Sequence, residues 1–268
     1  MSQAPTGYEP LNTLKPVARD IWLIDGPAVR YYGLPYSTRA SVVRLDNGDL
    51  WVHSPTQLTD DLRDELKVHG PVRHLIAPNQ LHYTHLTEWQ VAYPDAVTWA
   101  PPGVVERAAQ KGLNLNIDHA LGAPAETPWD GQIDQMIVEP SKTHREAVFC
   151  HRVSDTLIVT DLIQSFETAK VPARMRPYVW ITGVDDSDGK MPAHIRWRIK
   201  KKDVLVDCID RMIKWRPRRI ILAHGRWYTN NAVFELERAF RRIVSDRRWD
   251  EVSKKMDREK ERENARDR

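Results

Sequence analysis

The order of apolar runs along this chain constrains its fold more than any single residue does. "DIWLID", Asp20 to Asp25, and "ASVVRLDNGDLWVHSP", Ala40 to Pro55, alternate apolar and polar side chains around an Asn-Gly turn, the pattern of paired antiparallel strands. "TDDLRDELKVHG" follows, with Leu62 and Leu66 at helical spacing, acids in its first turn and Gly70 to stop it. "VRHLIAP" reads as a buried strand, Leu86 to Ala92 as a short helix, "AVTWAPP" as a strand and "VVERAAQKG" as a helix. In the second half, "QIDQMIVEP", "REAVFCHR" and "DTLIVTDL" are three short strands separated by turns. The amphipathic "KKDVLVDCIDRMIKWRP", the strand "RRIILAHG" and the helical "NNAVFELERAFRRIVSD" complete the series. No internal repeat and no Gly/Ser linker divides it. Two strand-rich halves with helices outside predict an α/β (α+β) class, a four-layer αββα sandwich, as one domain over residues 1–246. Residues 247–268 are almost wholly charged and read as a solvated tail with too few apolar side chains to join a core.

Composition narrows the class of partner. With 41% hydrophobic residues in 268, the chain can bury a real core. A formal net charge of +3 is small for that length, so neither nucleic acid nor a membrane surface is expected as a partner. No apolar run reaches the ~20 residues of a membrane span, and "MSQAPTGYEP" lacks the apolar core of a signal peptide. Cys150 and Cys208 form neither a close pair nor a metal-binding array, which fits a reducing compartment. The expectation is a cytoplasmic protein that acts on a small molecule. Nothing in the sequence specifies an oligomeric state.

The residues with chemistry to offer stand where strands end. "HLIAPNQLHYTHLTEW" leaves an apolar run through a Pro-Asn turn and sets His82 and His85 three residues apart. On a helical turn that spacing puts both on one face, where they either grip something together or lie on the surface beside Trp89. Asp161 directly follows the apolar "LIVT". A carboxylate there is expensive to bury unless it is paired or sits on a cation, although it could also cap the following turn. His224 closes the strand "IILAHG".

These three strand ends, "PNQLH", "TLIVTD" and "ILAHG", in this order, resemble the metallo-β-lactamase fold superfamily. More narrowly, the chain resembles a divergent domain-of-unknown-function family within it. The likeness runs from about Val17 to Val244. The superfamily pattern is Thr-His-x-His-x-Asp-His after a strand, a later loop histidine, an aspartate at a strand end and a terminal histidine, together holding two zinc or iron ions. With the last histidine of the first motif on His82, Ala77 and Asn79 occupy the two earlier histidine positions, and Leu81 replaces the aspartate. Lys142 stands where the loop histidine would be. The resemblance therefore implies that the first metal site is lost. The second keeps His82, Asp161 and His224, the ligand count of a catalytic zinc or non-haem iron site.

On that resemblance, the implied protein is a metal-dependent hydrolase with one divalent ion, zinc or iron. Its substrate would be a small-molecule ester, lactone, thioester or phosphodiester. Asp161 would be both ligand and orienter of the attacking water, and Lys142 would stabilise developing negative charge. Two alternatives stay open. One is a non-catalytic binding protein whose three residues hydrogen-bond each other without metal. The other is an iron-dependent oxidoreductase or lyase on the same ligands. Around the site, His85, His53 at the end of "LWVH", His144 close to Lys142, and Arg226 and Tyr228 after the terminal histidine are expected to face substrate or support the ligands. His69, His74, His119, His151 and His194 are read as structural. "PARMRPYVWITGVDDSDGK" reads as a long irregular segment, either a lid or a packed loop.

Overall fold

Alternation along each strand sorts its side chains onto two faces, and in the computed structural model that sorting builds four layers. The structure describes residues 8–31, 33–122, 126–141 and 144–245. One sheet has seven strands: β1 (Lys15–Ala18), β2 (Ile21–Tyr31), β3 (Leu34–Arg44), β4 (Leu50–His53), β5 (Val72–Ile76), β6 (Val97–Ala100) and β7 (His119–Ala120), in that spatial order. Strands β1 to β4 pair antiparallel, and β4 to β7 run parallel. Helices α1 (Asp60–His69), α2 (Leu86–Ala92) and α3 (Val104–Ala109) make or begin the crossovers that parallel pairing requires. The second sheet runs β11 (Arg219–Leu222), β10 (Thr156–Val159), β9 (His144–His151), β8 (Ile133–Ser141). Within it only β10 and β11 are parallel, joined through α4 (Arg176–Thr182), α5 (Ala193–Arg196) and α6 (Lys202–Lys214). A last helix, α7, spans 232–245.

Three apolar clusters fill the spaces between the layers. Trp51, Ile76, Trp99, Trp129, Phe149, Ile158 and Ile221 interlock between the two sheets. Val52 and Leu75, on the other face of the first sheet, pack against Leu62, Leu66, Trp89 and Val104 of α1, α2 and α3. Leu157, Val159, Ile220 and Leu222, on the outer face of the second sheet, pack against Ile209, Met212, Leu236 and Phe240 of α6 and α7. Neighbours such as Leu157 and Ile158 thus enter different cores, as a period of two demands. Helix α1 begins at Thr59, whose side chain accepts from the Leu62 amide, and stops at Gly70. A Cβ at Gly70 would come within 2.2 Å of the Gly48 carbonyl oxygen.

Two segments depart from the expectation. Strands β2 and β3 are each 11 residues long, well beyond "DIWLID" and the Ala40 start. Gly26-Pro27 and Gly33 are ordinarily breakers, but a register shift between Gly26 and Val29 accommodates the proline and lets pairing resume. The segment after Asp161 contains a short 3-10 turn, Ala173–Met175, followed by α4. Met175, Val179 and Val184 pack there on Tyr36 and Phe166, so this part is a packed element rather than an open loop. The charged residues 247–268 lie outside the described residues, as does Lys142.

His53 does not face a substrate cavity. It is 2% exposed, stacked on Trp51 at 5.6 Å and edge-on to Phe149 at 5.5 Å, inside the inter-sheet core. Burial, reinforced by nearby His82, pushes its pKa down to about 3. An unfolded histidine titrates near ~6.5. Between those values the unfolded chain takes up a proton that the folded chain refuses, so stability is full above the unfolded value and falls with falling pH. His53→Leu should flatten that dependence. Urea midpoints from pH 7.5 to 5 should fall more steeply in the wild type, the two slopes differing by up to about 1.4 kcal/mol per pH unit for one proton. Parallel slopes would show that His53 is not the buried neutral imidazole.

Candidate metal centre

The loop after β5 begins the site. Asn79 Oδ1 accepts from the amides of Leu81 and His82 at 2.8 and 3.1 Å, which bends the chain sharply after Pro78. The same side chain's Nδ2 donates to Thr160 Oγ1 and to Asp161 Oδ2, both at 2.9 Å. One amide therefore shapes the turn that carries His82 and ties it to the end of β10. Ser54 Oγ lies 2.8 Å from His82 Nδ1, so the other end of the ring is fixed from β4.

Asp161 is placed by Glu146, a residue that no sequence motif singles out. Glu146 on β9 is 0% exposed. Its Oε1 accepts from the Thr160 amide at 2.6 Å, and its Oε2 from the amides of Asp161 and Leu162 at 2.8 and 3.1 Å. These three N–H groups leave the sheet where β10 ends and would otherwise be buried without partners. Gln164 adds a bond from Nε2 to Asp161 Oδ1 at 3.1 Å. Both oxygens of Asp161 thus accept from an amide side chain, one from each side.

His224 comes from the end of β11. Its loop is locked to the Asp161 loop by a parallel bridge between Ser165 and Gly225, with Ser165 N donating to His224 O and Arg226 N to Ser165 O. Gly225 has φ +87°, and a Cβ there would lie 2.0 Å from the Ser165 carbonyl oxygen, so the junction needs glycine. Beneath it, Arg39 on β3 is buried. It pairs with Asp25 at 2.7 Å and donates to the carbonyls of Leu222 and Gly225 at 2.6 and 2.8 Å. His224 itself directs Nδ1 at the Ser37 carbonyl, 2.7 Å away. Tyr36 meets the ring edge-on at 5.3 Å and Phe166 stacks on it at 6.2 Å.

Three chain segments therefore converge. His82 Nε2 is 3.3 Å from Asp161 Oδ2, and His224 Nε2 is 3.4 Å from Asp161 Oδ1. One ligand atom from each residue lies within 4.8 Å of the other two. Burial alone would raise the Asp161 pKa, but His82 and His224 outweigh it and hold the carboxyl well below its ordinary range. The hydrogen bonds settle the tautomer question for His224. A carbonyl can only accept, so Nδ1 carries the proton, and a neutral ring then turns the Nε2 lone pair toward a carboxylate oxygen. Two lone pairs cannot face each other stably at that distance. The arrangement calls for a positive centre, a proton or a metal cation, between them.

The remaining expected residues divide. His85 lines the same cavity of about 490 Å³, with Nδ1 3.2 Å from Glu88. Burial lowers its pKa, and Glu88 opposes the shift. His144 is held 3.5 Å from Glu146 Oε2 and lines an adjoining cavity instead. Burial disfavours charge on His144, yet Glu146 outweighs burial and raises its pKa. Arg226 and Tyr228 do not face the site. Arg226 is exposed to solvent, and Tyr228 is 5% exposed in the α6–α7 core with its hydroxyl accepting from Arg238 at 3.1 Å. Gly225 turns the chain back, so that Tyr228 bridges Ile220 and its ring joins the outer core. His194, read as structural, in fact lines both cavities from α5. Its signal was absent from the sequence because α5 lies inside a segment without periodicity.

Comparison with known proteins follows this geometry. The family model described as "Domain of unknown function (DUF4336)" matches residues 19–194. The DIM-1 metallo-β-lactamase is similar in structure at TM-score 0.58 with 14% identity, over 87% of this chain and 96% of its own. FIM-1 from Pseudomonas aeruginosa, a metallo-β-lactamase in its mono-zinc form, gives 0.56 and 14%, again over 87% and 96%. VMB-1 gives 0.57 and 9%, over 87% and 97%. A comparison with curated proteins returned no match.

Glu146→Gln tests the support beneath Asp161. The amide keeps one acceptor oxygen for three N–H groups and adds an unwanted donor. Leaving buried donors unpaired costs about 1–3 kcal/mol, so thermal unfolding in chelator should shift down by several degrees. Unchanged melting would remove Glu146 from this role.

Proposed function

We propose, from the premise that this chain belongs to the DUF4336 family and has a metallo-β-lactamase fold, that it is a metal-dependent hydrolase with a single divalent cation held by His82, Asp161 and His224. One observation carries the reading. The proton on His224 Nδ1 is committed to Ser37 O, which leaves Nε2 as a donor lone pair aimed at an ionised carboxylate. Two imidazoles and a carboxylate are the donor set of an open catalytic zinc or ferrous site. FIM-1, on the same fold, has been solved in a mono-zinc form.

A divalent cation held by these three residues would supply Lewis acidity, which would polarise the bond to be cleaved and make water a nucleophile near neutral pH. The protein's own groups do the rest. Gln164 and Asn79 hold the two oxygens of Asp161 from either side, so the carboxylate cannot rotate. With its pKa held low, Asp161 is a poor proton acceptor at neutral pH and serves to balance charge. Desolvation lowers the pKa of His85 and of the more exposed His194, and both line the cavity, so proton transfer to or from the reacting group falls to these imidazoles. Tyr31, Tyr36 and Leu81 supply apolar wall against which a small-molecule ester, lactone, thioester or phosphodiester can lie.

Elemental analysis of protein purified without added metal tests the assignment. About one equivalent per chain is expected, lost in Asp161→Ala and only reduced in His85→Ala. Zinc supports the hydrolase, whereas iron supports oxidoreductase or lyase chemistry on the same ligands. Absence of metal, with no uptake on titration, would mean that a proton occupies the position and that the protein is a binding module. Two equivalents, or full occupancy without Asp161, would overturn the ligand set.

A further inference from the structure

The cavity next to the metal centre has no part in the hydrolysis described above. Its volume is about 420 Å³, and it shares Tyr31, Leu81, Arg107 and His194 as common walls with the first cavity. His144, Arg145 and Arg198 line it further, and Glu106 is the one carboxylate residue in its lining. Arg145 is already paired with Glu139 at 2.8 Å. Arg107 makes a long bond to Gln110 Oε1, 3.3 Å, and among the described residues no carboxylate lies within ion-pair distance of Arg107 or Arg198. The His144 side chain is nine-tenths out of solvent, at 10% exposure, and its Nε2 is engaged by Glu146 Oε2 at 3.5 Å. The two guanidinium groups, by contrast, line the cavity with no carboxylate among the described residues to neutralise them.

We propose that this second cavity is an oxyanion-binding annex, in which Arg107 and Arg198 take a phosphate or carboxylate group of the substrate while the scissile bond lies at the metal. Guanidinium forks match the planar or tetrahedral array of such oxygens. Arg107 and His194, common to both cavities, join the annex to the reaction centre. This rests on the hydrolase reading and narrows its substrates to molecules that carry an anionic group beside the bond cleaved.

The annex is tested apart from the metal. The full-length chain, stripped with chelator and dialysed, is titrated calorimetrically with inorganic phosphate and separately with succinate at constant ionic strength. Saturable single-site binding of at least one anion is expected, and which of the two binds more tightly separates phosphate from carboxylate substrates. Affinity should fall at least tenfold in Arg107→Gln and in Arg198→Gln, both at partly or fully exposed positions where folding is not at risk. It should persist in Arg152→Gln, whose partner Asp134 lies at the opposite end of the β8–β9 pair from His144. No saturable binding, binding indifferent to Arg107 and Arg198, or an equal loss in Arg152→Gln would overturn the proposal. Because no metal is present in the titration, failure of the metal assignment leaves this result standing, and the converse also holds.

Discussion

Asp161 keeps an ionised carboxylate almost wholly out of water, and most of the surrounding hydrogen bonds are arranged around that cost. A buried charge without partners destabilises a fold by several kcal/mol. Here two amide side chains meet its two oxygens, two imidazoles stand beyond them, and Glu146 secures the backbone on which it rides. Glu146 is itself a buried acid, compensated by three N–H groups at the end of β10 and by His144. The two buried acids therefore divide their roles, Glu146 serving the backbone and Asp161 facing the cavity.

The same logic explains what stands where the resembled pattern has ligands. Asn79 occupies a place where the resembled pattern has a metal-binding histidine, and its amide donates to the carboxylate that would otherwise bridge two cations. Partial positive charge on an N–H replaces part of a metal's charge without needing the metal. Ala77, at the other such position, is fully buried in the helix–sheet core, where it serves packing.

The layered fold was legible in the sequence because it is set by periods of two and 3.6, and α1, α2 and β5 to β6 fall where those periods place them. The three converging side chains were legible through the family resemblance of the strand ends that carry them, and their convergence could not be read from any one strand end by itself. What stayed hidden depends on contacts between distant segments. Glu146 lies mid-strand and resembles any exposed glutamate until the sheet is assembled; its burial comes from the loops that fold over it. His53 was assigned to a cavity because it ends a strand, yet its ring turns into the inter-sheet core and Ser54, the next residue, reaches the cavity. Arg226 and Tyr228 were placed there because they follow a strand end, and His194 lies in a segment with no period to read. Burial of a polar residue is a tertiary fact, and no local pattern announces it.

The bond from His224 to Ser37 joins positions 187 residues apart, and Arg39 reaches Leu222 and Gly225 across a similar span. Contacts of that sequence separation form late, because so much chain entropy must be lost before they repay it. During synthesis the first sheet can pair and cover its helices well before residue 224 has left the ribosome. His82 would then wait, turned and hydrogen-bonded to Ser54, with no counterpart at the other end. Closure of the centre is in this sense a record that the whole chain has been made and folded, and any metal that needs all three ligands meets them only in a finished molecule.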